Sequence, residues 1–215
     1  MEFSKEQIQE IIARRVAREF HNNDVVTLGI GLPTKAVKYL SQDINIIIQS
    51  ENGVLGVGNY QDETNRDPHI TNAGGFGVTV NAGGCFMDSL AAFAMMRGGH
   101  IDISVLGALQ VDAEGNLANW CIPEKYTPGM GGAMDLVVGT KRLIIAMEHT
   151  SKGAPKILKK CTLPLTAMHK VNRIITEKAV FDIAPKGLIL REISPHSSLE
   201  DIKQTTEADF EVALK

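Results

Sequence analysis

Short runs of β-branched residues alternate with helical segments along the first two thirds of the chain. The runs predict strands at residues 25–28, 44–49, 101–106 and 143–147, and helices are predicted at 4–22, after Pro33 and at 86–97. Strands that are apolar throughout are typical of parallel sheets buried on both faces. The pattern therefore predicts an α/β fold with a mostly parallel sheet covered by helices on both sides.

The two ends of the chain carry their own local signals. Ser4 and Gln7 have the spacing of a helix capping box, and the apolar residues from Ile8 to Phe20 follow helical periodicity. Beyond about residue 160, short strands are predicted at 171–176, 179–183 and 187–193, and a last helix near Ser198. No repeat or linker interrupts the sequence, so residues 1–215 are expected to form one domain.

The glycines cluster, and many of them follow predicted strands. In open α/β sheets, ligands bind at the carboxyl ends of the strands, where such glycines would lie. Ordinary tight turns would use glycine in the same places, so the clusters alone leave both interpretations open. The glycine-rich stretch 53–84 is weakly patterned, and we predict no regular element for it.

Composition argues against several classes of protein. The formal net charge is -3, from 22 Lys plus Arg against 25 Asp plus Glu, which does not indicate nucleic-acid or membrane-surface binding. No apolar run approaches the roughly 18 residues that a membrane helix needs. Three cysteines without a recognisable signal peptide indicate reduced thiols and a cytoplasmic protein.

Common cofactor and metal motifs are also missing from the sequence. It contains no G-x-G-x-x-G, no phosphate-binding P-loop and no G-x-S-x-G. The six histidines lack the partner spacing of a zinc site. We therefore expect no metal and no resident cofactor.

Glu51 is the strongest candidate for a reactive side chain. It ends an apolar strand and is followed by the glycine-containing segment 52–58, which would hold its carboxylate at the edge of the sheet. A solvated glutamate in a turn would show the same pattern. The local pattern alone does not decide between the two.

A series of ordered motifs extends the argument to nearly the whole chain. Ser50-Glu51-Asn52-Gly53 resembles the signature of class I CoA-transferases, in particular the B (beta) chains of the 3-oxoacid, acetate and butyrate–acetoacetate enzymes. The same resemblance covers further blocks, which are GIGLPT (29–34), NAG (72–74), RGGHID (97–102), LGALQV (106–111), LANW (117–120), GMGGAMDL (129–136) and CTLPLT (161–166).

The resemblance implies a fold, a reaction and a set of site residues. The implied fold is a three-layer α/β/α sandwich shared with sugar-phosphate isomerases. Glu51 would be the nucleophile of a ping-pong reaction through a glutamyl-CoA thioester, and the backbone of Gly132 would stabilise the oxyanion. Substrate and CoA would contact a wider set, namely Gly31, Ser50, Asn52, Gly53, Gly131 and Ala133.

The resemblance also implies partners and substrates. An A (alpha) subunit would complete the site in an α2β2-type assembly, and acyl-CoA and short carboxylic acids would be the substrates. Succinate-using relatives tend to carry Lys-Glu where this chain has Gly75-Phe76, which favours acetoacetate, butyrate or acetate. The alternatives are succinyl-CoA:3-oxoacid transfer, acyl-CoA hydrolysis, sugar-phosphate isomerase-type activity and a non-catalytic role in the complex.

Overall fold

The structure, a computed structural model, describes residues 3–214. Its helices are α1 (Lys5–Ala17), α2 (Ser89–Arg97), α3 (Ala133–Gly139) and α4 (Leu199–Thr205), with a 3-10 helix at Pro33–Tyr39. The strands are β1 (Val25–Leu28), β2 (Ile47–Ser50), β3 (Val54–Tyr60), β4 (Val78–Phe86), β5 (Ile101–Leu106), β6 (Gln110–Asp112), β7 (Leu117–Ala118), β8 (Thr140–Ala146), β9 (Thr150–Ser151), β10 (Ala154–Pro155), β11 (Ile157–Leu158), β12 (Val171–Ile175), β13 (Ala179–Ala184), β14 (Gly187–Ile193) and β15 (Phe210–Val212).

A ten-stranded sheet forms the centre, in the order β15-β14-β13-β12-β8-β5-β1-β2-β3-β4. Its five middle strands, from β12 to β2, are mutually parallel. Antiparallel pairs flank them, with β3 and β4 on one side and β13 and β14 on the other. Two small sheets, β10-β9 and β11-β6-β7, are separate. The prediction of a mostly parallel sheet is confirmed.

Two hydrophobic cores lie on opposite faces of this sheet. Leu143 and Ile145 of β8 belong to one core, while Ile144 of the same strand belongs to the other. The first core includes side chains from α2, α3 and α4, and the second includes α1 and the 3-10 helix. Because neighbouring strand residues point to opposite faces, both faces are covered, which confirms the three-layer α/β/α arrangement.

The N-terminal helix begins as predicted and ends early. The Ser4 side chain accepts the N–H of Gln7, and the Gln7 side chain accepts the N–H of Ser4. The helix was predicted to reach residue 22, but it ends at Ala17. Phe20 is still buried, so the apolar stripe described burial correctly although the last residues are not helical.

Two predicted regions differ from the structure. The stretch 53–84 contains the antiparallel pair β3 and β4, where a Cβ on Gly56 would lie 2.9 Å from the Cα of Gly84. These glycines therefore allow two strands to approach closely, and their lack of side chains hid the strand pattern. Phe86 ends β4, so α2 starts at Ser89, after its cap Asp88, and not at residue 86.

The structure between residues 3 and 214 contains no helix with the length and apolar character needed to span a bilayer.

Candidate active site

Glu51 lies at the carboxyl edge of the parallel strands. It follows Ser50, the last residue of β2, and the neighbouring strand β1 ends beside it at Leu28. Parallel strands present their carboxyl ends at one edge, where open α/β sheets form their ligand sites. The position of Glu51 therefore agrees with the sequence prediction.

Gly132 lies directly against the Glu51 carboxylate, although the two are far apart in the sequence. A Cβ built on Gly132 would lie 2.5 Å from Oε2 and 2.8 Å from Cδ of Glu51. Only glycine leaves this space free. The sequence analysis predicted no helix here, and the structure shows that Gly132 caps the short helix α3.

The surroundings of Glu51 disfavour its charged form. Burial raises the pKa of the Glu51 carboxyl above its ordinary value. The backbone amide of Gly132 acts in the opposite direction, and the negative charge of Asp135 adds to the rise. Asp135 is itself paired with Arg97 of α2, at 2.7 Å.

Ser50, Asn52 and Gly53 shape the turn that carries Glu51. The Ser50 hydroxyl accepts the N–H of Ala73 at 2.9 Å, and the Asn52 side-chain amide donates to the carbonyl of Thr71 at 2.7 Å. Gly53 has φ +110°, and a Cβ there would collide with the backbone of Met87. Through these contacts, segment 71–73 and the residues just before α2 lie next to Glu51.

The remaining predicted site residues lie around the same edge. Gly131 and Ala133 flank Gly132, and the N–H of Ala133 donates to the carbonyl of Met130 at 3.1 Å. Gly31 follows β1, the strand next to β2. Gly31 and Gly131 both have positive φ, and no atom lies within 4 Å of a Cβ built on either. A bound ligand could therefore lie close to the backbone at both positions.

Sequence reasoning missed two polar residues near Glu51. Asp135 was part of a recognised motif but was assigned no role, and its effect depends on α3 being helical. Gln49 was read as one more strand residue, although a polar side chain among Ile46, Ile47 and Ile48 is itself a usable signal. Among residues 3–214, no group of three or more His, Cys, Asp or Glu side chains is arranged to hold a metal ion.

A separate charged region lies on the face of the sheet that α1 covers. Two adjoining clefts, of about 600 and 430 Å3, share Arg15, Arg18 and Glu192 in their walls. Beside them Glu19 is buried and accepts hydrogen bonds from Arg15, Arg142 and Arg173. These clefts do not include Glu51.

Comparison with known proteins gives close sequence relatives. The family described as coenzyme A transferase matches residues 9–205. The beta chain of the acetate CoA-transferase of Haemophilus influenzae is 55% identical over 206 residues, covering 95% of this chain and 92% of that protein. The B chain of the succinyl-CoA:3-ketoacid coenzyme A transferase of Helicobacter pylori is 47% identical over 208 residues, covering 96% and 100%.

Solved structures share the fold at lower identity. An acyl-CoA transferase apoenzyme from Escherichia coli O157:H7 aligns with a TM-score of 0.78 and 23% identity, covering 97% of this chain and 43% of that one. Glutaconate coenzyme A-transferase from Acidaminococcus fermentans aligns with a TM-score of 0.69 and 21% identity, covering 96% and 88%. At these identities the likeness establishes the α/β fold.

Proposed function

The chain belongs to the coenzyme A transferase family, and on that premise we propose that Glu51 carries coenzyme A through the reaction as a glutamyl thioester. The chain is a B (beta) subunit of the acetate or succinyl-CoA:3-ketoacid type. The observation that carries the proposal is the Glu51 carboxylate at the carboxyl edge of the sheet, in contact with the backbone at Gly132.

The proposed reaction is a ping-pong transfer in two mirrored halves. The Glu51 carboxylate attacks the acyl-CoA carbonyl, the C–S bond breaks, and CoA leaves as a thiolate with the bonding electron pair. The thiolate then attacks the glutamyl carbonyl of the mixed anhydride, which forms the glutamyl-CoA thioester and releases the first acid as a carboxylate. A second carboxylate reverses these steps, so the two acids exchange without net hydrolysis.

The environment of Glu51 suits a side chain that changes from carboxylate to anhydride to thioester. A carboxylate needs no general base to act as a nucleophile. Burial disfavours the ionised group, whereas the anhydride and the thioester at the same carbon are uncharged, so acylation relieves the desolvation of Glu51. The Gly132 amide would stabilise the oxyanion of each tetrahedral intermediate, as backbone N–H groups do in other acyl transfers.

Short monocarboxylates are the proposed acids, with acetoacetate, butyrate and acetate ahead of succinate. Residues 72–76 form a tight turn in which Gly75 has φ +77°. Its exposed Phe76 packs edge-on against Tyr60, with ring centroids 6.0 Å apart. Residues 72–76 carry an aromatic side chain and no cation, and Arg66, which lies against Gly77, is paired with Glu63 at 3.1 Å. This arrangement supports a preference for acids without a second carboxylate.

An A (alpha) subunit is the proposed partner, in an α2β2-type assembly. The two sequence relatives described above are named as beta or B chains. Large apolar side chains near the site are exposed in the isolated chain, among them Ile30, Phe86, Leu90 and Met134. A partner that covers them would also shield the anhydride and thioester from water.

Intact mass measurement tests the proposal. The chain is co-purified with its A subunit, incubated with acetoacetyl-CoA and weighed beside Glu51→Gln, the near-isosteric control. We expect the wild-type chain to gain covalently bound CoA, which added acetate or butyrate discharges, and Glu51→Gln to gain none. An unchanged wild-type mass, with turnover that survives in Glu51→Gln, would exclude the thioester mechanism.

A further inference from the structure

Three polar side chains form a row across the neighbouring parallel strands β5, β1 and β2, close to the end of β2 that precedes Glu51. Ser104 of β5 is the register partner of Thr27 of β1. Val26 pairs with Ile48, so Thr27 comes next to Gln49 of β2, and the Thr27 hydroxyl donates to Gln49 Oε1 at 2.9 Å. We call Ser104, Thr27 and Gln49 the polar row.

The polar row and Glu51 lie on the same face of the sheet. Val26 and Ile103, which neighbour the row, belong to the core on the α1 side, so the row itself faces α2 and α3. Gly132, which caps α3, contacts the Glu51 carboxylate. Glu51 follows Gln49 by two residues, directly after the end of β2.

Gln49 keeps a buried hydrogen-bond donor without a partner. Its side chain is 1% exposed, and Nε2 donates to no residue within 3–214. The Thr27 hydroxyl occupies only the carbonyl end of the amide. A buried donor without a partner destabilises the folded state, because it has lost its hydrogen bonds to water. This unpaired donor therefore lies two residues from the proposed nucleophile although it destabilises the folded chain.

We propose that the Gln49 side-chain amide is a catalytic hydrogen-bond donor to the acyl group carried on Glu51. This inference rests on the proposed function. Acylation of Glu51 creates carbonyl and oxyanion oxygens that the resting enzyme lacks. A donor that is unpaired in the resting state and paired in the intermediates stabilises the transition state more than the ground state, and so raises kcat. Gln49 would add a side-chain donor to the backbone amide of Gly132.

Three variants of the assembled enzyme separate this role from a structural one. Gln49→Met removes the donor at nearly constant volume. Thr27→Val with Gln49→Met replaces the hydrogen-bonded pair by apolar side chains of similar shape, which is often neutral or stabilising. Ser104→Ala removes the hydroxyl at the far end of the polar row, which is also unpartnered within 3–214 and lies two strands from β2.

The readouts are the rate of thioester formation on this chain, from rapid quench and intact mass, together with KM and Tm. We expect Gln49→Met and the double variant to form the thioester about 100-fold more slowly with little change in KM. The double variant should keep or raise Tm, and Ser104→Ala should keep the wild-type rate. A structural role would instead lower rate and Tm together.

Equal rates in wild type and Gln49→Met would overturn the inference and leave the proposed function standing. An equal slowing in Ser104→Ala, or a slowing that follows a fall in Tm, would also overturn it. If the wild-type chain forms no thioester at all, the proposed function fails, and the inference fails with it.

Discussion

Glu51 and Glu19 are the same residue type in opposite environments of one sheet. Glu19 lies near the amino ends of the strands, and both its oxygens are held by arginines. Burial alone would raise the pKa of Glu19, but Arg15, Arg173 and Arg142 outweigh it and lower the pKa below its ordinary value. Glu51 lies at the carboxyl edge, where burial and Asp135 raise its pKa.

This contrast supports the proposal that Glu51, and not Glu19, is the reactive carboxylate. The lone pairs of Glu19 accept charge-assisted hydrogen bonds that tie α1 to β8 and β12, so its charge is a structural element. Glu51 has a backbone amide beside it and a negative charge nearby, and none of the ion pairs within residues 3–214 includes it. Its carboxylate is not neutralised by a cation, which suits the proposed role as a nucleophile.

The largest expected effect is on stability, from Glu19→Gln. Removing this charge takes from Arg142 its ion pair within residues 3–214, while Arg15 and Arg173 keep Glu192 and Asp182. Breaking a buried ion pair typically costs about 3–5 kcal/mol. Urea unfolding should show this loss. Arg14→Gln, which removes an exposed pair with Glu10, is the matched control and should cost less than about 1 kcal/mol. A Glu19→Gln variant as stable as wild type would contradict the structural role.

Gly132→Ala tests the reactive side of the comparison. The added methyl would occupy space now filled by the Glu51 carboxylate and would shift it from the Gly132 amide. We expect turnover of the assembled enzyme to fall about 10²–10³-fold. Gly129→Ala is a control in the same loop, because no atom lies within 4 Å of a Cβ there, although its φ of +90° adds local strain. Equal losses in both variants would argue against a specific contact.

The two glutamates should give opposite dependences of stability on pH. The lowered pKa of Glu19 means that its contribution is fully present above its ordinary value of 4.5 and is lost as pH falls through the folded-state pKa. The raised pKa of Glu51 means that stability is lost as pH rises from 4.5 through its folded-state pKa. At neutral pH, Glu51→Gln should therefore stabilise the chain, by about 0.5–2 kcal/mol.

Denaturant unfolding of wild type, Glu19→Gln and Glu51→Gln across the acid to neutral range measures this difference. The destabilisation by Glu19→Gln should shrink as the pH falls, and the stabilisation by Glu51→Gln should shrink in the same direction. If both variants changed the free energy of unfolding in the same direction at neutral pH, the contrast between the two glutamates would be wrong.

Asp135→Asn should have the smallest effect. Without this negative charge the pKa of Glu51 falls, so the acid limb of kcat/KM against pH should move to lower pH. Arg97→Gln provides a control of opposite sign, because it leaves the charge of Asp135 uncompensated and should move the acid limb upward. If both variants moved the acid limb in the same direction, the Arg97–Asp135 ion pair would act by holding the structure and not through the charge of Asp135.

Local signals were sufficient for much of the fold and failed where side chains were small. The capping box at Ser4, the strand 101–106 and the helix after Ser198 were all predicted from the sequence and are present. The β3–β4 pair was missed because Gly56, Gly58, Gly83 and Gly84 leave no hydrophobic alternation to detect. Helix α3 was missed because it is short and its N-cap is a glycine without a capping side chain.

The order of residues alone was enough to predict that Glu51 lies where an apolar strand gives way to a glycine-containing turn, since strand periodicity and glycine turns are local properties of the chain. The motif resemblance added Gly132 as a partner without showing how the two meet. Tertiary structure decided the rest. The contact between Glu51 and Gly132, the negative charge of Asp135 and the unpaired amide of Gln49 depend on how the N-terminal end of α3 meets the turn after β2, and on how β1 pairs beside β2. A carboxylate's burial and neighbours set its reactivity, and neighbours distant in sequence are visible only once the chain is folded.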